Sequence, residues 1–507
     1  MRLPFPERIS LVGAFIFALL LSAVQLYEGT NALFSLCCFG FVLISALAFN
    51  VAGGFSRSTG SYVFFYSVLA VLIGLFWKAV LGEPADSNLR APLTTALAYL
   101  CSISSLLFAV FISKKITTKR ALLADFVTDE NMQSATIGCL VTGLLILGIG
   151  TFGIGNWGAG TVLSAISQVD RFLPLALMLG VIHAIRRSGG TRSISLPVII
   201  AGSTIFAVGA LGFSKQGMIT PFLCWLIAAA SQRYKVSLPQ IGGGIFVVFI
   251  TFYYLVPYSQ YGRIYRGPSL GENIDVAIDF FSNIGYVRSQ FLENESDEDA
   301  ELQGYFTTHQ GFFDRLQMIA PDDTLIDYTQ NNGPLGLFPI VLSFENFVPH
   351  FIWKDKPIWF SGNYYAREAG ILPEADESTG VSFSPTGEAF RLAGWEGVLI
   401  VAPVLWIVLF TLLDSLCGDM RKSPWGLIAA LSYSHTAPEG GLNAVIYSMA
   451  YITFAVLFAA CLVTYLMPIV GEFVIGPNQK FIRSMNPIQS KPSRVRPIRT
   501  SSNAAAL

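Results

Sequence analysis

Twelve mainly apolar stretches recur along the chain, near 9–26, 31–50, 61–81, 93–112, 136–155, 168–185, 194–212, 217–231, 241–258, 395–413, 425–438 and 443–468. Crossing the hydrocarbon core of a bilayer takes about 20 such residues in an α-helix, so each stretch predicts a span; 168–185, 217–231 and 425–438 are short or interrupted. The run at 9–26 lacks a clear small-residue cleavage site and is followed at once by another, which predicts a retained helix rather than a cleaved signal. Between the ninth and tenth spans the pattern stops. The expectation is therefore an all-α polytopic membrane protein: a membrane domain over 1–258 (spans one to nine), a large extracytoplasmic loop over 259–395, a second membrane portion over 396–470 (spans ten to twelve) and a tail over 471–507.

Composition agrees with the pattern. The chain is 53% hydrophobic and 13% charged, about half the charge of a soluble domain, which argues against a water-soluble enzyme. A net charge of −1 excludes a nucleic-acid binder that works through bulk positive charge. With the N-terminus inside and all twelve spans real, 20 of the 32 lysines and arginines fall in cytoplasmic segments and each of those segments carries at least one. That is the positive-inside bias, and it predicts both termini in the cytoplasm. The basic tail, QKFIRSMNPIQSKPSRVRPIRT, reads as disordered and suited to an anionic leaflet. The seven cysteines lie in apolar stretches without metal-ligand spacing or a disulfide framework, and the four histidines form no HExxH-type cluster.

The loop at 259–395 carries 20 acidic and 8 basic residues. Its length and its aromatics predict a folded cap; with no cysteine, that fold must rest on packing against the membrane domain. The run ENESDEDAE lacks the EF-hand pattern and its glycine. Asp322–Asp323 reads most simply as a helix N-terminal signal. No acidic metal motif stands on the outer side, so no metal or other cofactor is expected. Cations close to the outer membrane surface are the informative residues. Lys215 sits in the turn GFSKQGM, and Arg263 and Arg266 follow the ninth span in PYSQYGRIYRG. Arginine presents a planar, always-charged fork to phosphate oxygens, so these positions suit an anionic head group. A snorkelling lysine and an aromatic belt with flanking cations are the plainer alternatives.

Four local features resemble the Wzy-type oligosaccharide repeat-unit polymerases, the family that includes the O-antigen polymerases. VPHFIWKDKP is similar to the family's pattern of proline, basic residue, aromatic–tryptophan pair and closing Lys-Pro. SPTGEAFRLAGWEG is similar to its Gly-Glu-x-aromatic stretch running into Gly-x-x-Gly before a span. FFDRLQMI, with Arg315, resembles the arginine-containing helix upstream, and GFSKQGM resembles the Ser-basic turn between two earlier spans. There are departures: His350 stands where the family usually has Arg, Lys354 where Pro is common, and Lys215 in place of the usual Arg of the turn. A histidine would be a weaker, pH-dependent phosphate ligand.

The resemblance implies a glycosyltransferase-C-like membrane fold in a bacterial inner (cytoplasmic) membrane. It implies a metal-independent transfer on the periplasmic side, in which a hydroxyl of one lipid-linked repeat unit attacks the anomeric carbon of a chain held on undecaprenyl diphosphate. Donor and acceptor would both be undecaprenyl-diphosphate-linked oligosaccharides, with a chain-length regulator as a further partner and no nucleic acid. Arg263, Arg266, Lys215, Arg315, Lys356 and Arg391 are then the candidate diphosphate contacts. Glu388, Glu439 and His350 are the candidate bases for the acceptor hydroxyl. An O-antigen-ligase-like transferase uses the same lipid diphosphate donor and stays open. A polysaccharide transporter or flippase is disfavoured, because no internal repeat is evident and the charges gather at the outer face.

Overall fold

The structure is a computed structural model; it describes residues 1–124, 126–151, 171–267, 272–298, 304–308, 310–311, 313–348, 352–353, 355–357, 359–377 and 379–475, with backbone only for 294–298 and 475. In chain order the helices are α1 (Leu11–Tyr27), α2 (Ala32–Ala52), α3 (Ser58–Leu81), α4 (Pro92–Ile116), α5 (Met132–Thr151), α6 (Phe172–Arg187), α7 (Leu196–Leu211), α8 (Lys215–Ser231) and α9 (Leu238–Gly262). The region between the ninth and tenth predicted spans supplies α10 (Glu272–Ser282), α11 (Ile284–Glu298), α12 (Ile319–Asn332), α13 (Phe338–Glu345) and α14 (Ser361–Glu368). α15 (Pro385–Cys417), α16 (Trp425–Glu439) and α17 (Gly441–Val474) complete the set. No strand occurs among the described residues.

Within the described residues, every predicted apolar stretch overlaps one of these helices. α2, α3, α4, α5, α9, α15 and α17 are long and apolar enough to cross a membrane, and α1 and α7 are shorter apolar helices. The remaining three, α6, α8 and α16, match the stretches the sequence marks as short or interrupted. Many large apolar side chains face outward, among them Leu20, Leu196 and Tyr465. Such surface is tolerable in lipid and costly in water.

Turns at one end of the bundle are tied to one another. Met420 N donates to the Ser56 carbonyl, Leu122 and Leu123 donate to the carbonyls of Ser415 and Leu416, and Leu3 N donates to the Tyr234 carbonyl. At the other end the helices meet the 259–395 region. Trp77 of α3 stacks on Phe313 with ring centroids 3.7 Å apart and planes 6° apart, and its Nε1 donates to Gln310 at 3.0 Å. Tyr305 donates to the Ala85 carbonyl at 2.8 Å. Lys78 is fully buried beside it, paired with Glu83 at 3.0 Å. A π-helical stretch at Val68–Leu72 takes the Ala70 carbonyl out of the regular α ladder, and Met318 N uses that carbonyl at 2.8 Å. Tyr305, Met318, Ile319 and Ile326 thereby join the same apolar core as the membrane helices.

Asp322 and Asp323 make most of this docking possible. Asp323 accepts from Arg90 N at 2.5 Å, Ala91 N at 3.1 Å and the Thr95 hydroxyl at 2.7 Å. It caps α4, a helix more than 200 positions away, whose own N-cap, Ala91, has no capping side chain. Asp322 is fully buried and accepts from the Tyr99 hydroxyl at 2.5 Å, from Ser384 N at 2.9 Å and from the Ser384 hydroxyl. Burial lifts its carboxyl to about 7, with the bonds from Ser384 and Tyr99 opposing the rise. The simple reading of this pair as the N-terminal signal of its own helix is therefore incomplete: Asp322 does lie in the first turn of α12, but both carboxylates serve other helices.

A pair of glycines sets a close approach that matters for the site. A Cβ on Gly217 would sit 2.7 Å from Gly209 Cα, and one on Gly209 would sit 2.5 Å from Gly217 C. The α7–α8 hairpin therefore closes backbone against backbone at the turn that carries Lys215. Gly217→Val should force the hairpin apart and cost roughly 1–3 kcal/mol or more. The expected result is a lower melting temperature in detergent together with lost activity. Gly202→Ala, whose added Cβ would meet Leu177 at an ordinary 3.5 Å, should leave both unchanged.

Candidate functional site

The site begins at the turn before α8. Phe213 takes a positive φ of 47° and is fully buried. Its ring lies where a side chain on Gly262 would be, since a Cβ there would come within 2.1 Å of Phe213 Cδ1. The end of α9 and the turn are thus pressed together. Ser259 seals the contact: its hydroxyl donates to the Phe213 carbonyl at 2.7 Å and accepts from Lys215 N at 3.0 Å. Tyr258 adds a bond to the Ala210 carbonyl at 3.0 Å. Lys215 and Arg263, 48 positions apart in sequence, are brought to one place by these contacts.

Arg315 joins them from the loop. Gln260, with its amide oxygen turned toward Arg315, accepts from Nε and Nη2 at 3.2 Å each. Arg266 lies one turn beyond Arg263 and adds its charge to it. Among the described residues none of Lys215, Arg263, Arg266 and Arg315 forms an ion pair, although the region around them is acidic overall. Burial, then Arg315 and Arg263, push the Lys215 ammonium down to about 8, with Glu439 pulling the other way. Four cations gathered with Glu439 as the carboxylate that opposes their charge at Lys215 leave a net positive field, which a bound anion would relieve.

Next to Glu439 a cavity of about 410 Å³ opens between α13, α14, the start of α15 and the α16–α17 junction. Trp359, Phe360, Tyr365, Tyr447 and Tyr451 supply aromatic walls, and Ser343, Asn346, Glu388, Glu439 and Asn443 supply polar groups. Glu388 is 3% exposed. Its Oε1 accepts from Asn443 Nδ2 at 2.9 Å and from the Tyr365 hydroxyl at 3.2 Å, and Oε2 accepts from Asn443 N at 3.2 Å. The Asn443 oxygen accepts in turn from the Ser343 hydroxyl. Gly441 has a φ of 61°, and a Cβ there would lie 2.0 Å from Glu388 Oε2. A glycine is required for both reasons. Glu439 pairs with His435 one turn earlier, Oε1 to Nδ1 at 2.5 Å.

Glu388 and Glu439 therefore share one cavity; Lys215, Arg263, Arg266 and Arg315 form a cluster outside its lining, linked to it through the charge of Glu439 on Lys215. Two expected diphosphate contacts lie elsewhere. Lys356 is buried, and its ammonium donates to the carbonyls of Asn346 at 3.2 Å and Val348 at 2.9 Å, just past the C-terminus of α13. Burial pulls its pKa down. Arg391 is 4% exposed and is engaged by Glu368 at 2.8 Å, by the Gly333 carbonyl at 2.8 Å and by the Tyr328 ring at 5.0 Å. Both cations hold the fold of the 259–395 region together rather than standing ready for a ligand. His350, like Lys354, His309, the last three residues of ENESDEDAE (299–301) and the basic tail, lies outside the described residues. Asn443, Tyr365 and Gly441 complete the Glu388 environment and were not singled out by their chemistry; the interruption SHTAPEGGLN, which ends on Asn443, was the available signal.

Among the described residues no group of three or more His, Cys, Asp or Glu side chains converges as metal ligands. Comparison with protein-family models, with curated proteins and with solved structures gives no match to this chain.

Proposed function

We propose that the chain polymerises lipid-linked oligosaccharide repeat units into a surface polysaccharide. It would lie in the bacterial inner membrane with twelve spans, both termini cytoplasmic and the 259–395 region in the periplasm. One observation carries the reading: four cations with no ion pair among the described residues are linked, through the charge of Glu439 on Lys215, to an aromatic-walled cavity that holds two carboxylates. Sugars pack on aromatic faces and hydrogen-bond to Asn, Ser and carboxylate groups, which is what the cavity offers. A diphosphate leaving group gathers negative charge as the anomeric bond breaks, which is what Lys215, Arg263, Arg266 and Arg315 would stabilise. The acceptor hydroxyl would lie in the cavity, close to Glu388 or Glu439 for removal of its proton. Holding two long ligands in line is the protein's other task.

The test is reconstitution of the full-length protein in liposomes with an undecaprenyl-diphosphate-linked repeat unit, with products resolved on a gel. A ladder of lengthening products is expected. Transfer of a single glycan to a different acceptor lipid without a ladder would replace polymerase with ligase, and no product with either acceptor would overturn both.

The acidity of Lys215 gives a second expectation. A lysine titrating near 8 in the free protein is charged below that pH and neutral above it, so the cluster loses one positive charge as pH rises through 8. kcat/KM for the donor should therefore fall between about pH 7 and 9 in the wild type, and Lys215→Arg should remove the fall. An unchanged profile in Lys215→Arg would exclude Lys215 from donor binding.

A further inference from the structure

At the opposite end of α7 from Lys215, a second cavity of about 590 Å³ lies between α5, α6 and the start of α7. The 16 residues of α7 put the two sites roughly 24 Å apart along the helix, so this cavity belongs to the other face of the bundle. Its volume is within the usual range for small-ligand pockets, about 300–1,000 Å³.

Its polar lining converges on an anion. Arg187 and Arg192 both border it. Arg187 has one neutral partner, Gln133, at 3.1 Å, and the Arg192 guanidinium makes no hydrogen bond or ion pair among the described residues. The turn between them is built to hold its shape. Gly189 and Gly190 take φ values of 61° and 88°, and the Ser188 hydroxyl accepts from Arg192 N at 2.9 Å. His183 lines the cavity from α6, and its Nε2 is enclosed yet has no hydrogen-bond partner. Ser195, the N-cap of α7, makes no side-chain capping bond, and Pro197 in the first turn has no N–H. The positive end of α7 thus faces the cavity uncapped.

The rim says what carries the anion. Ile194 lines the cavity, and Leu196 and Ile199 follow on the first turns of α7 beside the lining residues Ser195 and Pro197; the three are 53%, 69% and 53% exposed. Water would penalise such a border, whereas acyl chains would cover it. Basic pockets of this kind between membrane helices suit anionic head groups.

We propose that this cavity binds the phosphate of an anionic phospholipid, held by Arg187, Arg192 and His183, with its acyl chains lying along Ile194, Leu196 and Ile199. The site is independent of the transfer reaction proposed above. It couples the α6–α7 end of the bundle to the lipid composition of the leaflet it faces.

The experiment titrates phosphatidylglycerol, phosphatidylcholine or inorganic phosphate into the delipidated full-length protein in non-ionic detergent and follows the melting temperature. Phosphatidylglycerol should raise it for the wild type and for Lys115→Ala, a basic residue away from the cavity. The half-saturating lipid concentration should rise about fivefold in Arg192→Gln and about 25-fold in the Arg187→Gln/Arg192→Gln double variant. Should the double variant fold poorly, Arg192→Gln alone decides, because its exposed side chain holds nothing in place. An equal effect of phosphatidylcholine, or wild-type half-saturation in Arg192→Gln, would overturn the proposal. A full shift with inorganic phosphate and no further gain from lipid would assign the site to free phosphate and overturn the lipid.

Discussion

Polymer formation should fall by about 10³-fold or more when Arg263 and Arg315 are replaced together by alanine, with the protein still inserted and stable. Removing one preorganised donor to developing charge typically costs about 10²–10³ in rate, and these two guanidinia reach the same place from α9 and from the loop. They act as a unit, so the single variants should each lose nearly as much as the double. Neither arginine is in an ion pair among the described residues, and the Gln260 amide is the partner that orients Arg315. Loss of stability is therefore not expected; removing mutual repulsion should leave the melting temperature equal or slightly higher. The check is the gel ladder beside a melting curve for each variant. Wild-type ladder length in both single variants would remove the diphosphate clamp.

The second large effect is expected at Glu388. Glu388→Gln should lower transfer by about 10²–10⁴-fold, the range for losing a positioned proton acceptor. Both Glu388 oxygens accept hydrogen bonds, from Asn443 Nδ2 and Tyr365 on one side and from Asn443 N on the other. An amide can satisfy only one side and turns its NH₂ toward a donor on the other, at a cost of about 1–3 kcal/mol. Some stability must go too, so the decisive comparison is Asn443→Ala. That variant loosens Glu388 but keeps its carboxylate, and should retain measurably more activity than Glu388→Gln at similar stability. Equal activity in the two variants would mean that Glu388 only shapes the cavity. Glu439→Gln separates the two carboxylates, because its partner is His435 rather than Asn443.

Much of this was legible from residue order. The apolar stretches mark the helices closely because lipid-facing helices carry their signal locally. The tenth predicted span starts at 395, and α15 departs from helical geometry at Ala393 and Gly394. Lys215 and Arg263 stood out because each breaks the apolar pattern beside a span. The contacts that bring them together were not legible: Phe213 against Gly262, and Gly209 against Gly217, are shape relations between distant residues. Asp322–Asp323 resisted for the same reason, since a carboxylate pair that caps another helix reads like one that starts its own. Lys356 and Arg391 show the reverse failure. Their charge is visible in sequence, but the carbonyls and the Glu368 carboxylate that use it are set by the tertiary fold.

The interruption in α15 has a mechanical consequence. Gly394 adopts φ 58° and ψ −136°, and the carbonyls released just before it, on Arg391 and Leu392, accept from Leu335 N and Gly336 N at 2.9 Å each. The stretch bearing Glu388 is therefore anchored to the cap, while the helix from Gly397 to Cys417 spans about 31 Å at 1.5 Å per residue, matching a hydrocarbon core. A bilayer that thins or thickens changes the tilt of that lower segment. The joint at Ala393–Gly394 is closed rather than free, since Gly397 presses on the Ala389 backbone and Phe390 packs edge-on against Trp395, so a change of tilt in the lower segment would be passed on to the stretch that bears Glu388.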